Sequence, residues 1–144
     1  MHEFNSIDCV SRHIRRADRA IAQYYNSYLK SVGLKITQYT ILSFLNNTGT
    51  STASDLQIFL SADQTTVSRA LKPLIRDAIV LSSEGADKRQ KLLSLTKGGK
   101  TLYREAFPQW KKAQDELTQI LGKDGHQSLM KMTDLVVSNL EKIK

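Results

Sequence analysis

Thr65, Arg69, Lys72 and Arg76 recur at steps of four, three and four residues. At about 100° per residue a helix gathers them on one face, opposite Val67, Leu71 and Leu74. That face is basic and hydroxylated, with no carboxylate on it. Arg can pair with guanine edges, a Thr methyl can meet a thymine methyl, and Lys can neutralise phosphate, so the pattern suits a DNA major groove. Gln64 lies near the helix start, where it can reach a base edge or a phosphate, and Thr66 and Ser68 border the face. The bland alternative is a solvated helix surface, which is commonly charged.

A second group follows in "GADKRQKLLSLTKGG", residues 85–99. Asp87 stands two residues before Arg89, near enough to orient the guanidinium through a charge-assisted pair. A fixed Arg at a hairpin tip can enter a minor groove, where narrow A·T-rich stretches have enhanced negative potential. Lys88 and Lys91 would serve phosphates beside it. A charged, solvated turn is again the alternative.

These groups need elements to hold them. Ile7, Val10, Ile14, Ala17, Ile21 and Tyr28 keep helical spacing up to Val32, which predicts one long helix ended near Gly33. Such a helix cannot bury its whole stripe in so small a chain, so part of it is expected to meet another subunit. "TQYTILSFLNNTG" predicts a second helix, capped by Thr37. In "STASDLQIFL" Thr52 and Asp55 resemble a capping box, ahead of an apolar face of Leu56, Phe59 and Leu60. After a tight "LSA" connection, Asp63 can cap a fourth helix with Val67, Ala70, Leu71 and Leu74 inward.

"IVLSS" and "KLLSL" then read as a two-stranded hairpin with a charged, Gly-containing tip. Beyond Thr96 the helical period returns in two stretches separated by "GKDG". Pro108 lies inside the first, where its missing N–H and ring clash predict a kink. Two short helices, a tight turn and a hairpin make a winged helix-turn-helix. The fold class is therefore mainly α with a small β hairpin, its winged core flanked by helices at both ends.

The chain has 144 residues, 40% hydrophobic and 24% charged, with a net charge of +7. This is an ordinary globular composition sized for one folding unit. The positive excess concentrates in residues 63–100, where eight Lys and Arg stand against four Asp and Glu. Clustered basic charge fits a polyanionic partner. The single cysteine, Cys9, allows no intramolecular disulfide and no CxxC metal site. No apolar run approaches the roughly 20 residues of a spanning helix, and the start "MHEFNSIDCV" lacks a signal-peptide layout. A cytoplasmic protein with no membrane partner is expected.

The run "TASDL", then "DQTTVSRALKPLIRDAIV", then "DKRQKLLSLTKGG" resembles the MarR family of dimeric bacterial transcription regulators. The likeness is clearest over residues 37–102. It implies one domain over 1–144, with residues 37–100 as the DNA-binding lobe and residues 1–35 and 101–144 as dimerisation helices. By this resemblance residues 64–76 are the recognition helix and Asp87 and Arg89 the wing pair. It further implies a homodimer on a pseudo-palindromic duplex operator, commonly a repressor released by a small ligand or by thiol oxidation. Two departures stand out. Ala78 replaces the usual Gly after the recognition helix, so a left-handed backbone there would be strained. Ser82 and Ser83 stand where the first wing strand often carries Arg.

Within that resemblance, His13, Arg16, Tyr24 and Tyr28 are candidates to line a cleft for a small aromatic acid. Cys9 is the candidate oxidant-sensing thiol, although Asp8 beside it opposes a thiolate. The other reading of the Tyr and Arg stripe is dimer core with solvated arginines. No nucleophile–base arrangement and no cofactor motif occurs, so an enzyme is not expected. A winged-helix module that docks a protein is the alternative function; it calls for an apolar recognition face, against which Thr65, Arg69, Lys72 and Arg76 argue.

Overall fold

A computed structural model describes residues 6–143; residues 1–5 and 144, the outermost parts of the expected flanking segments, lie outside the described residues. The chain divides into two compact units, one reaching Trp110 and one running from Lys111.

In the first unit, helix α1 (Val10–Leu29) follows Cys9, and a 3-10 turn (Lys30–Val32) carries it to Gly33. Gly33 takes φ 73°, a left-handed value that glycine meets without Cβ strain. Helix α2 (Ile36–Thr48) starts one residue before the expected cap. Thr37 is therefore inside the helix. The start is held instead by Asn26 of α1, whose Oδ1 accepts the Ile36 N–H at 2.7 Å, and by Gln38, whose Oε1 accepts the Lys35 N–H at 3.0 Å. A side chain ten residues upstream can replace a local cap, a substitution that periodicity cannot reveal.

Strand β1 (Thr50–Thr52) leads directly into helix α3 (Ala53–Leu60). The capping box forms: Thr52 Oγ1 accepts the Asp55 N–H and Asp55 Oδ2 accepts the Thr52 N–H, both at 3.1 Å. Leu56 is buried, but Phe59 does not join it inward; it is 54% exposed and stacks on Phe44 at 4.6 Å between ring centroids. Ser61, at φ 50°, makes the tight connection to helix α4 (Gln64–Arg76).

Strands β2 (Val80–Glu84) and β3 (Lys91–Leu95) form the expected hairpin, and β1 adds to the far side of β3. The sheet is antiparallel, ordered β1-β3-β2, with Ser51 opposite Leu93 and Val80 opposite Leu95. Alternation along β3 turns Leu93 and Leu95 inward. They meet Ile41, Leu42 and Leu45 of α2, Leu56 of α3, and Val67, Leu71 and Leu74 of α4 in one core. Tyr39 of α2 stacks on Tyr103 and Trp110 at 5.8 and 5.4 Å, so the start of helix α5 (Lys97–Glu141) packs on the same core.

The second unit is helical from Lys111 to Glu141 except at Gly122, with φ 73° and ψ 165°. The break expected at "GKDG" falls there. The kink expected at Pro108 is not expressed as a dihedral break, since the departure within α5 is at Gly122. A proline leaves helical φ intact and costs one hydrogen bond, whereas a left-handed glycine reverses the backbone.

Candidate nucleic-acid interface

The start of α4 is fixed by Asp63, whose Oδ1 accepts the Thr66 N–H at 2.7 Å. That hydrogen bond, helped by the Thr66 hydroxyl and the Arg69 charge, holds the Asp63 carboxyl below the usual carboxylate range. Burial of Val67, Leu71 and Leu74 then sets the rotation of the helix. Gln64, Thr65, Thr66, Ser68, Arg69, Lys72 and Arg76 are all exposed, as the periodicity predicts.

The exposed residues divide into three positions. Gln64, Ser68 and Lys72 line a groove of about 720 Å³ whose opposite wall is Ser82, Arg89 and Lys91 of the hairpin. Thr65 and Arg69 lie on the other flank, where they share a shallower hollow with the same three α4 residues. Arg76 is apart from both. Its Nε and Nη2 donate to Asp77 at 3.0 and 3.3 Å, and it borders a hollow with Lys30 and Lys35. Thr66 is tied into the cap through its N–H.

The groove also receives Ser54 and Gln57 from α3, which sequence reasoning passed over. They lie three residues apart and flank the buried Leu56. The capping box at Thr52 fixed the helix start, so the outward face of α3 could have been read on the same wheel as α4.

In the hairpin tip Asp87 does something other than expected. Its Oδ1 accepts the backbone N–H of Arg89 at 3.1 Å, so the carboxylate goes to the main chain and not to the guanidinium. A two-residue offset brings a short Asx side chain back onto its own backbone more readily than onto a long neighbour. Gln90 N–H donates to the Asp87 carbonyl and Gly85 N–H to the Gln90 carbonyl, both at 2.9 Å. Asp87 thereby shapes the loop that carries Lys88 and Arg89, both exposed.

The hairpin is joined to α4 at its base. Ala78 takes φ 55°, the left-handed conformation anticipated for it. Ala78 N–H donates to Ile75 O at 3.1 Å and Ile79 N–H to Leu74 O at 2.9 Å, the paired bonds of a Schellman motif with Ala in the place favoured by Gly. The Thr96 hydroxyl donates to the Ala78 carbonyl, and the same oxygen caps α5 by accepting the Gly99 N–H.

The other candidates are on α1 or, for Cys9, just before it. His13 Nδ1 lies 3.0 Å from the Cys9 carbonyl. His13 and Arg16 share a shallow hollow with Arg19 and Gln23, while Tyr24 and Tyr28 pack on each other at 5.6 Å further along the helix. Cys9 is exposed and borders a separate hollow with Arg12 and Arg15. No helix among the described residues is long and apolar enough to cross a membrane.

Comparison with known proteins follows the same lines. The model of the MarR family matches residues 34–91. The uncharacterized HTH-type transcriptional regulator YwoH of Bacillus subtilis is 33% identical over 112 residues, covering 75% of this chain and 82% of its own. Two solved structures are similar over nearly the whole chain. A MarR mutant from E. coli complexed with operator DNA has a TM-score of 0.81 at 25% identity, covering 94% of this chain and 99% of that one. The M. tuberculosis transcriptional regulator MOSR in complex with DNA has a TM-score of 0.79 at 30% identity, covering 90% and 97%.

Proposed function

Since the chain belongs to the MarR family of DNA-binding transcriptional regulators, which are not enzymes, we propose that it is a homodimeric repressor acting in the bacterial cytoplasm on a pseudo-palindromic operator. Helix α4 enters a major groove through Gln64, Thr65, Ser68 and Arg69, with Lys72 on phosphate. The hairpin tip reaches the flanking minor groove through Arg89, with Lys88 and Lys91 on phosphates and Asp87 holding the loop. Thr66 serves the cap first, and Arg76 reaches phosphate only by leaving Asp77.

The observation that carries this reading is the groove shared by Gln64, Ser68 and Lys72 with Arg89 and Lys91. One cationic, concave surface built from a helix and a hairpin fits a duplex backbone between two readers. An apolar recognition face, which a protein-docking module requires, is missing from the exposed side of α4 up to Lys72.

Residues 37–100 form the DNA-binding lobe in this reading, and residues 1–35 and 101–144 the dimerisation helices of one MarR-like domain. Supporting that are exposed apolar residues in both end segments, among them Val10, Ile14, Met132, Leu135 and Leu140. Two-fold symmetry then places half-sites about one helical turn, roughly 34–36 Å, apart. Release by a small aromatic acid at His13, Arg16, Tyr24 and Tyr28 is one route in this reading, and oxidation at Cys9 is the other.

Selection of bound duplexes from a random pool, followed by sequencing, tests this directly. The expected result is an inverted repeat, lost when Arg69→Ala and Arg89→Ala are combined. Repeating the selection with aromatic acids and with peroxide reads release. Wild-type binding by both single variants, or a monomer by sedimentation at micromolar concentration, would overturn the assignment.

A further inference from the structure

The first half of α1 carries the densest cationic feature outside the groove, and apart from Arg16 none of its arginines has a role in the proposed dimer or release site. Arg12, Arg15, Arg16 and Arg19 are spaced i, i+3, i+4, i+7. On a helical wheel they fall within about 100° of arc and span about 10 Å along the axis. Val10, Ile14, Ala17 and Ile21 centre on the opposite side. All residues from 7 to 20 are exposed, and among the described residues no carboxylate pairs with any of the four arginines. Two shallow hollows flank the stripe, one holding Arg12 and Arg15, the other Gln23, with Arg16 and Arg19 common to both.

We infer that this arginine stripe is a second surface for the phosphate backbone of duplex DNA, distinct from α4 and the hairpin. Charge complementarity selects the occupant. A duplex offers one negative charge per about 1.7 Å of axis, and the guanidinium fork matches phosphate oxygens two at a time. The hollows contain no Phe, Tyr, Trp or large aliphatic side chain, so an acidic protein would find no apolar anchor there. A basic amphipathic helix is also the pattern of a membrane-surface segment, but those insert Trp, Phe or Leu. The α1 apolar face here is Val, Ile and Ala, on the side of the helix away from the stripe. The protein would thus hold duplex beyond the operator, on its flanks or on a second segment.

The test compares wild type with a variant in which Arg12, Arg15, Arg16 and Arg19 are all replaced by Gln, on a 60-base-pair duplex lacking the selected site. Four phosphate contacts contribute about 3 to 4 to the slope of log affinity against log salt, or roughly a hundredfold in affinity over a fourfold salt range. The four-Gln variant should lose that, the four-Lys counterpart should keep most of it, and Arg12→Gln/Arg16→Gln should lose about half. Binding of a short duplex that holds only the selected site should stay near wild type. Making the same four changes in the Arg69→Ala/Arg89→Ala background separates the two surfaces: the slope should drop by the same increment whether or not specific binding survives. An unchanged slope in the double and four-Gln variants would overturn the inference. So would a loss confined to phosphatidylglycerol vesicles or to polyglutamate, with duplex binding intact.

Discussion

The hydroxyl of Thr96 lies 2.6 Å from the Ala78 carbonyl and also accepts the Gly99 N–H at 2.9 Å. One oxygen thus joins the strained exit of α4 to the start of α5, directly below the hairpin. Thr96→Val keeps the shape and removes both bonds, together with the longer contact to the Ile79 carbonyl at 3.2 Å. It should lower stability by about 1–2 kcal/mol, as loss of a cap does, and weaken duplex binding by loosening the hairpin. Urea unfolding and a duplex titration check the two effects. Normal stability would show that the node is not structural.

Gly99 makes the same junction intolerant of a side chain. A Cβ there would stand 2.1 Å from the Ile79 carbonyl oxygen, against backbone that cannot step aside. Gly99→Ala should cost roughly 1–3 kcal/mol or more through overpacking, while Gly98→Ala, whose nearest such contact is 3.7 Å, should be mild. Equal midpoints for the two variants would contradict this geometry.

Ala78 offers the opposite change. Its φ of 55° costs an L side chain roughly 1–2 kcal/mol, and glycine returns most of it while adding unfolded-state entropy. Ala78→Gly should therefore stabilise by about 0.5–1 kcal/mol, seen as a higher urea midpoint with an unchanged slope.

Much of this architecture was legible in the sequence because burial at helical period is a strong signal. Val67, Leu71 and Leu74 fixed the exposed face of α4, and Asp63 fixed its start. What escaped was set by partners distant in sequence or by very short elements. β1 is three residues long and gains its identity only by pairing with β3. The α2 start depends on Asn26, and Phe59 turns out to Phe44. The Asp87 carboxylate could be assigned to the Arg89 backbone only once the loop geometry was known. Ala78, by contrast, was readable from a single missing Gly.

Asp63 ties acid stability to the α4 start. Its folded carboxyl titrates below its ordinary value of 3.8 because it accepts from Thr66 and faces Arg69. A depressed folded value means the contribution is complete above the unfolded value and fades as pH falls through the folded one. Stability should therefore decline as pH drops below about 4. Asp63→Asn, which keeps an acceptor, should flatten that part of the profile. An identical acid limb in wild type and variant would remove Asp63 as its cause.

Arg69 and Arg76 should separate functionally, although both belong to the outward pattern of α4. Arg69 lies in the hollow with Thr65 and Ser68, so Arg69→Ala should cost roughly 1–3 kcal/mol of binding and relax one base preference. Arg76 is engaged with Asp77, and Arg76→Ala should leave the selected sequence unchanged. Selection of random duplexes with each variant decides it, and a relaxed base in the Arg76 variant would refute the division.

Ser82 is where the groove can be strengthened. It is half-buried in β2 opposite Leu93 and lines the same wall as Arg89 and Lys91. Ser82→Arg would place a third cation on that wall, facing Lys72 across the groove. The gain should be uniform across sequences, because an added phosphate contact carries no base information. It should steepen the salt dependence by about 0.9, and Lys91→Ala should flatten it by a similar amount. Salt titrations of wild type, Ser82→Arg, Lys91→Ala and the double variant read this as slopes, with the double variant returning near wild type. An unchanged slope in Ser82→Arg, with the protein folded, would mean that the β2 wall stands off the backbone and that the hairpin approaches DNA only through its tip.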